Sequence, residues 1–194
     1  MPETDHLTRV AERRRVLQTW FEETLGPAPE FVFEIGSGHG HFLTAYALAH
    51  PQQRCIGIDQ MLERVGRADR KRERARLPNL HFVRAAADDF LAALPAPARF
   101  TAIYILFPDP WPKRRHQKNR LLQTELLRQL AARTRAGTPL FFRTDHADYF
   151  AATQTLFAHD PAWRLDETPW PFEQPTVFQA RQPTFFSLTA VRAE

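Results

Sequence analysis

The sequence predicts an α/β protein, a doubly wound and mostly parallel sheet of seven strands whose last strand runs antiparallel. Three observations carry that expectation. Short apolar runs alternate with helical periodicities through the first 158 residues, the pattern of a parallel sheet covered on both faces. A glycine loop, Gly36-Ser37-Gly38-His39-Gly40, leaves the first apolar run and opens a helix, as in the first half of a strand–helix–strand unit. Beyond residue 158 the alternation breaks, with Pro161, Pro169, Pro171, Pro175 and Pro183 preceding a closing apolar run.

Residues 8–25 read as an amphipathic helix with Val10, Leu17, Phe21 and Leu25 on one side, ended by Gly26-Pro27. Residues 31–35 form the first strand, and a helix follows from His41 to about His50. Residues 54–58 are the second strand, ending at Asp59; the basic helix of residues 61–76 comes next and is closed by Pro78. Residues 80–83 make a third strand, followed by a short helix around 88–94. The fourth strand, Ile103 onward, is uncharged and rich in β-branched and aromatic side chains until Pro108 and Pro110, which have no N–H for a ladder bond, stop it. Residues 121–133 carry Leu121, Leu122, Leu126, Leu127 and Leu130 at helical spacing, residues 140–144 form the fifth strand ending at Asp145, and 147–158 are helical. A strand around 163–166 and a final one containing Phe185, Phe186, Leu188 and Val191 pair as a hairpin-like addition. No repeat or linker divides the chain, so one domain is expected: a helical extension (1–30), a strand–helix core (31–158) and a closing region (159–194).

Composition narrows the classes. A chain of 194 residues with 43% hydrophobic and 25% charged residues holds one full core and is not a disordered segment. Cys55 is the only cysteine, which excludes an internal disulfide and a cysteine-rich metal site. The start lacks a signal-peptide pattern and no apolar run reaches membrane-spanning length, so a soluble, cytoplasmic protein without metal is expected. The net charge of +4 is concentrated: Arg64, Arg67, Arg70, Lys71, Arg72, Arg74 and Arg76 in one segment, Lys113 to Arg120 in another. Such clustering is either a footprint for phosphate or a solubilising helix face.

In an open α/β sheet ligands bind beyond the carboxyl ends of the strands, and Glu34, Asp59, Asp109 and Asp145 all fall at or near such ends. Gly36, Gly38 and Gly40 have G-x-G-x-G spacing, not the G-x-G-x-x-G of dinucleotide enzymes. Glu34 beside that loop repels a pyrophosphate and attracts a cation, and S-adenosylmethionine, with a sulfonium and an ammonium, fits. Asp59 is placed to accept from ribose hydroxyls. Asp109, Trp111 and the cations Lys113, Arg114, Arg115 and Lys118 combine an acid, a ring and a basic patch, which suits a nucleobase carried on a polyanion. Arg114, Arg115 and Lys118 are expected on the RNA backbone, and His116 on a phosphate or the loop.

The motifs Glu34-Ile35-Gly36-x-Gly38-x-Gly40, Gly57-Ile58-Asp59, Phe107-Pro108-Asp109-Pro110-Trp111-Pro112-Lys113-x-x-His116, Thr144-Asp145 and Thr176-x-Phe178-x-x-Arg181 occur in this order. Over residues 31–191 the chain thereby resembles the bacterial tRNA (guanine-N7)-methyltransferases. The resemblance implies a Rossmann-like class I methyltransferase fold, S-adenosylmethionine as cofactor, and methylation of N7 of a guanosine in the tRNA variable loop. It implies that Glu34, Asp59 and Asp109 line the cofactor and reaction site, with Asp109 catalytic. Lys113, Asp145, Thr176, Val177, Phe178 and Gln179 then contact the tRNA guanosine. The family's adenine-contacting position falls on Ala86, where relatives carry Asp or Asn, and Gln179 stands where they carry Glu.

Guanine N7 has an in-plane lone pair that is unprotonated at neutral pH, so its methylation needs orientation and no general base. Asp109 either stabilises charge reaching the ring or accepts from the N1–H and amino group; Trp111 either stacks on the base or packs the loop. Two other readings stay open: a base amino-group methyltransferase of the same fold, which would carry N-P-P-Y or D-P-P-Y, and a tRNA-binding module without catalysis. The glycine spacing disfavours a nicotinamide-dependent oxidoreductase.

Overall fold

Seven strands form a single sheet in a computed structural model that describes residues 2–27, 29–174 and 184–194. The strands are β1 (Glu30–Ile35), β2 (Cys55–Asp59), β3 (Leu80–Arg84), β4 (Arg99–Leu106), β5 (Pro139–Thr144), β6 (Trp163–Asp166) and β7 (Phe186–Arg192). Their order is β3-β2-β1-β4-β5-β7-β6. β1 to β5 are mutually parallel, and β7 inserts antiparallel between β5 and β6. The chain order reverses direction between β1 and β4, and the crevice above that switch point is where ligands bind in such sheets.

The helices are α1 (Pro2–Thr24), α2 (His41–Ala49), α3 (Leu62–Ala75), α4 (Ala87–Ala93), α5 (Thr124–Ala131) and α6 (Ala147–Ala158). Alternation along the strands separates two cores. Phe31, Phe33 and Ile35 of β1 face α1, α4, α5 and α6, packing with Leu17, Phe21, Phe90, Leu127 and Phe157. Val32 faces the other way, into a smaller cluster with Phe42, Tyr46, Cys55, Tyr104 and Phe141, on the α2 side.

Three boundaries differ from the sequence reading by three residues or more, each for a local reason. α1 starts at Pro2, whose fixed φ suits a first helical turn. β4 starts at Arg99, because a register shift between Phe31 and Val32 lets Glu30 and Phe31 pair with Arg99 and Phe100. α5 starts only at Thr124, since the Leu122 N–H donates to the Tyr149 hydroxyl at 3.0 Å instead of joining a helix. α1 is held to α4 by Arg13 and Arg14, which both meet the buried Asp89 carboxylate, at 2.7 and 3.1 Å.

The Phe33 ring lies stacked between Phe90 (4.8 Å) and Phe100 (4.7 Å) at the middle of the sheet. Phe33→Ala is expected to lower unfolding free energy by about 3–5 kcal/mol through lost contact and the cavity left behind. Urea denaturation checks this, and a loss below about 1 kcal/mol would show that the column is not a main support.

Candidate active site

The turn after β1 is built so that its backbone folds back onto β2. The N–H groups of Gly36 and Ser37 both donate to the Ile58 carbonyl, at 2.8 and 2.9 Å. Gly40 has φ of 71°, and a Cβ there would lie 2.6 Å from the Phe82 ring and 2.7 Å from the Ala68 side chain, so only glycine fits. Gly36, at φ 80°, needs glycine for its backbone alone, since nothing stands within 4 Å of a Cβ. The buried Asp59 carboxylate ties the two loops together: Oδ2 accepts from the Gly38 N–H at 3.1 Å and Oδ1 from the Met61 N–H at 2.8 Å. Lys71 of α3 donates to the His39 carbonyl at 2.6 Å, holding the turn from the other side.

Glu34 precedes this turn and is only 2% exposed. Among the described residues its Oε2 atom has no hydrogen-bond partner. Burial, reinforced by the charge of Asp59, pushes its carboxyl from 4.5 up to about 8. The same neighbourhood raises the Cys55 thiol to about 12, by burial first and by the Glu34 charge second.

Beyond the ends of β1, β2 and β4 opens a cleft of about 440 Å³, whose lining includes Gly36, Asp59, Met61, Phe107, Asp109 and Trp111. That volume falls in the range of cofactor and small-molecule sites, about 300–1,000 Å³. One wall is the loop after β4. Phe107 (φ 50°) and Trp111 (φ 45°) both adopt left-handed backbone despite their bulky side chains, bracketing Pro108-Asp109-Pro110. Each such residue costs roughly 1–3 kcal/mol and persists only where its surroundings hold it. Those supports are identifiable. The Phe107 N–H donates to the Arg143 carbonyl at 2.8 Å, and Arg120 Nε donates to the Pro110 carbonyl at 2.9 Å. The Trp111 ring meets His116 edge-on at 5.9 Å. Asp109 is exposed on the cleft and makes no side-chain hydrogen bond or ion pair among the described residues.

The basic run after this loop divides. Arg114–Asn119 form a short 3₁₀ helix on which Arg114, Arg115 and Lys118 are exposed, and Lys113 stands exposed at its start. Arg120 is buried, its guanidinium 4.7 Å over the Tyr149 ring, and serves the loop. The cations of α3 divide similarly: Arg67 and Arg72 pair with Glu63 and Asp69 on their own helix, both at 2.6 Å. Asp145 is exposed just past β5, next to the β4 end. Ala86 stands at the start of α4 between Ala85 and Ala87, both on the cleft wall. Thr176, Val177, Phe178 and Gln179 lie outside the described residues.

Sequence reasoning missed two buried cations, Arg120 and Arg143. Arg143 carried a signal, a charge inside an apolar strand; Arg120 carried none that set it apart from its neighbours. Among the described residues no group of three His, Cys, Asp or Glu side chains could hold a metal, and no helix is long and apolar enough to cross a membrane.

A seven-stranded sheet of this order with an acid-rimmed cleft at its switch point has the architecture of the Rossmann-like methyltransferases. Residues 28–187 match the profile of the family described as "Putative methyltransferase", and the chain belongs to that family. The tRNA (guanine-N(7)-)-methyltransferase of Rhodococcus jostii (strain RHA1) is 34% identical over 170 residues, 87% of this chain and 64% of that protein. The protein of the same name from Treponema pallidum (strain Nichols) is 39% identical over 136 residues, 70% of this chain and 54% of its own length. The chain therefore spans between half and two thirds of these relatives. A solved structure of a mutant 16S rRNA (adenine(1408)-N(1))-methyltransferase with cosubstrate SAM, from Catenulisporales acidiphilia, superposes with a TM-score of 0.61 at 17% identity. It covers 91% of this chain and 92% of that one, and shows the shared fold.

The raised carboxyl of Glu34 makes a directional prediction about stability. The folded protein keeps a proton on Glu34 that the unfolded chain gives up between 4.5 and about 8, so this group's contribution falls as pH rises through that window. Glu34→Gln is therefore expected to melt higher than the parent, with a gap that widens between about pH 5 and about pH 9. A gap that does not change with pH would contradict a buried, unpartnered carboxyl.

Proposed function

We propose that the protein transfers a methyl group from S-adenosylmethionine to N7 of a guanosine in the variable loop of tRNA, and that it works in the cytoplasm. The observation that carries this reading is the loop 107–111, which fixes an unpartnered acid, Asp109, on the wall of a cleft that the buried acid Asp59 also lines. The names of the relatives support the same chemistry.

The residues present fit the cofactor. The orphaned Oε2 of Glu34 offers a buried acceptor that a cation would complete, and Gly36 leaves open space for close backbone approach. When bound, S-adenosylmethionine supplies an electrophilic methyl on sulfur. Glu34 would hold its methionine end, and Asp59 has lone pairs left beside its two backbone bonds for ribose hydroxyls. Gly36, Gly38, Gly40 and Ala86 would shape the remaining contacts.

On the acceptor side, Asp109 would receive the guanine edge and orient N7 toward the methyl group, with no proton to remove. Asp145 and Lys113 would bound the base, joined by Thr176, Val177, Phe178 and Gln179. The edge contact between Trp111 and His116 favours Trp111 as a support of the loop. Arg114, Arg115 and Lys118 would meet phosphates and offset the unstacking of a base from the tRNA core, roughly a few kcal/mol.

Incubation with labelled S-adenosylmethionine and unmodified tRNA, followed by nucleoside analysis, is expected to give 7-methylguanosine. Label on a base amino group, or none from folded protein that binds the cofactor, would contradict the proposal. Asp109→Ala should lower single-turnover rate by about 100-fold while the cofactor dissociation constant stays within about twofold, since the lost contact acts on the reacting base. Equal losses in both would remove the assigned role.

A further inference from the structure

The net charge of the chain sits on one helix. Residues 62–76, α3 with the residue that caps it, hold seven cations and three acids, a surplus equal to the +4 of the whole chain. Only two of those cations are neutralised within the segment. Glu63 takes Arg67 at 2.6 Å, and Asp69 and Glu73 take Arg72 at 2.6 and 3.5 Å, which uses all three acids. Arg64 stands 3.7 Å from Asp59. Arg70, Lys71, Arg74 and Arg76 have no acid partner among the described residues. Lys71 donates to the His39 carbonyl at 2.6 Å and Arg74 to the Arg70 carbonyl at 3.3 Å, both neutral groups.

The surplus points one way. Val65 and Ala68 are the buried residues of α3, and the opposite face carries Arg67, Arg70 and Arg74, all exposed and three or four residues apart. At a rise of about 1.5 Å per residue this row is about 10 Å long. Lys71 flanks it toward the glycine turn, where the rings of His39 and His41 stand 6.4 Å apart. Burial, then the charges of Arg74, Arg67 and Arg70, hold the Lys71 ammonium below its usual range. Burial, then Arg67, Lys71 and Arg64, do the same to His39. A face that served solubility alone would alternate its charges. Here Arg67 and Lys71, and again Arg70 and Arg74, set like charges four residues apart, a spacing that weakens a helix. The row carries no apolar side chain, which a helix lying on a membrane needs. What it fits is a polyanion.

Its place in the fold says which one. β1 lies between β2 and β4, so α3, which follows β2, and residues 114–119, which follow β4, flank the crevice. Arg64 at one end and Asn119 at the other both line the cleft. We propose that the outer face of α3, centred on Arg70 and Arg74, is a second RNA-binding surface. It holds the phosphate backbone of tRNA on the opposite rim of the cleft from Arg114, Arg115 and Lys118. The proposal rests on the tRNA reading above and adds to it a grip on both sides of the methylated base.

The main test removes Arg70 and Arg74 together, by Arg70→Ala with Arg74→Ala, since neither side chain is buried or lines the cleft. Binding of tRNA is measured between about 50 and about 200 mM salt. The pair is expected to weaken tRNA affinity about tenfold at the lower salt and to flatten the slope of log affinity against log salt by about two units. The dissociation constant of S-adenosylmethionine should stay within about twofold. Arg128→Ala with Arg164→Ala removes the same charge from cations paired with Glu125 and Asp166, and should leave the slope unchanged. An unchanged slope in the α3 pair overturns the proposal, including the case where that pair instead loses binding to phosphatidylserine vesicles. An equal loss in the control pair overturns it too, because general charge then explains the binding. A parent protein that binds cofactor and tRNA yet forms no 7-methylguanosine overturns the methylation reading, and the salt series still judges the surface.

Discussion

A buried carboxylate without a partner is the constraint around which the site is arranged. Glu34 lies at the carboxyl end of β1, the strand that pairs with both β2 and β4, and among the described residues no cation reaches it. Asp59 is close enough for its charge to raise the Glu34 carboxyl further. Arg64 stands 3.7 Å from Asp59, so the acid left without a cation in this poorly solvated corner is Glu34, and it favours a positively charged ligand. The glycine turn leaves room for close approach, because nothing stands within 4 Å of a Cβ at Gly36 or Gly38.

The opposite wall solves a different problem. An acid that is to meet a base must stay unpaired and yet fixed in place. Asp109 meets both needs because rigidity comes from its neighbours: two prolines, two left-handed residues, and the Arg120 bond to the Pro110 carbonyl. Arg120 is kept in position by Tyr149, whose hydroxyl also accepts the Leu122 N–H that ends the basic segment. Buried cations thus carry the framework, and the exposed ones, Arg114, Arg115 and Lys118, have no acid partner among the described residues, Arg115 donating only to His116 at 3.2 Å.

Most of the fold was legible because strand and helix periods, glycines and prolines act locally. The seven strands, their alternation with helices and the antiparallel closure all follow from such signals. Two acids of the cleft wall, Asp59 and Asp109, were legible too, since each sits where an apolar run stops, whereas Glu34 and Asp145, expected in the same crevice, are not part of its lining. What the chain hid was non-local. Arg120 looks like its basic neighbours, and only a ring 29 residues later makes it a buried support. Arg143 stood out as a charge in an apolar strand, but its partners, Trp170, Glu173, Phe185 and Ser187, lie in proline-rich and closing segments with no pattern that announces the contact. The α3 basic cluster looked uniform, whereas pairing with Glu63 and Asp69 and the Lys71 bond to His39 absorb part of it. The strain at Phe107 and Trp111 arises from how the β4 end is anchored, which no residue propensity encodes.

Glu34 should be protonated in the free protein near neutral pH and ionised when it faces a cation, so its protonation state reports directly on the ligand. Calorimetric titration with S-adenosylmethionine near pH 7, in two buffers of different ionisation enthalpy, measures that proton. Binding is expected to release about one proton in the parent protein and close to none in Glu34→Gln. Heats that do not depend on the buffer in the parent would contradict a site organised around the Glu34 carboxylate.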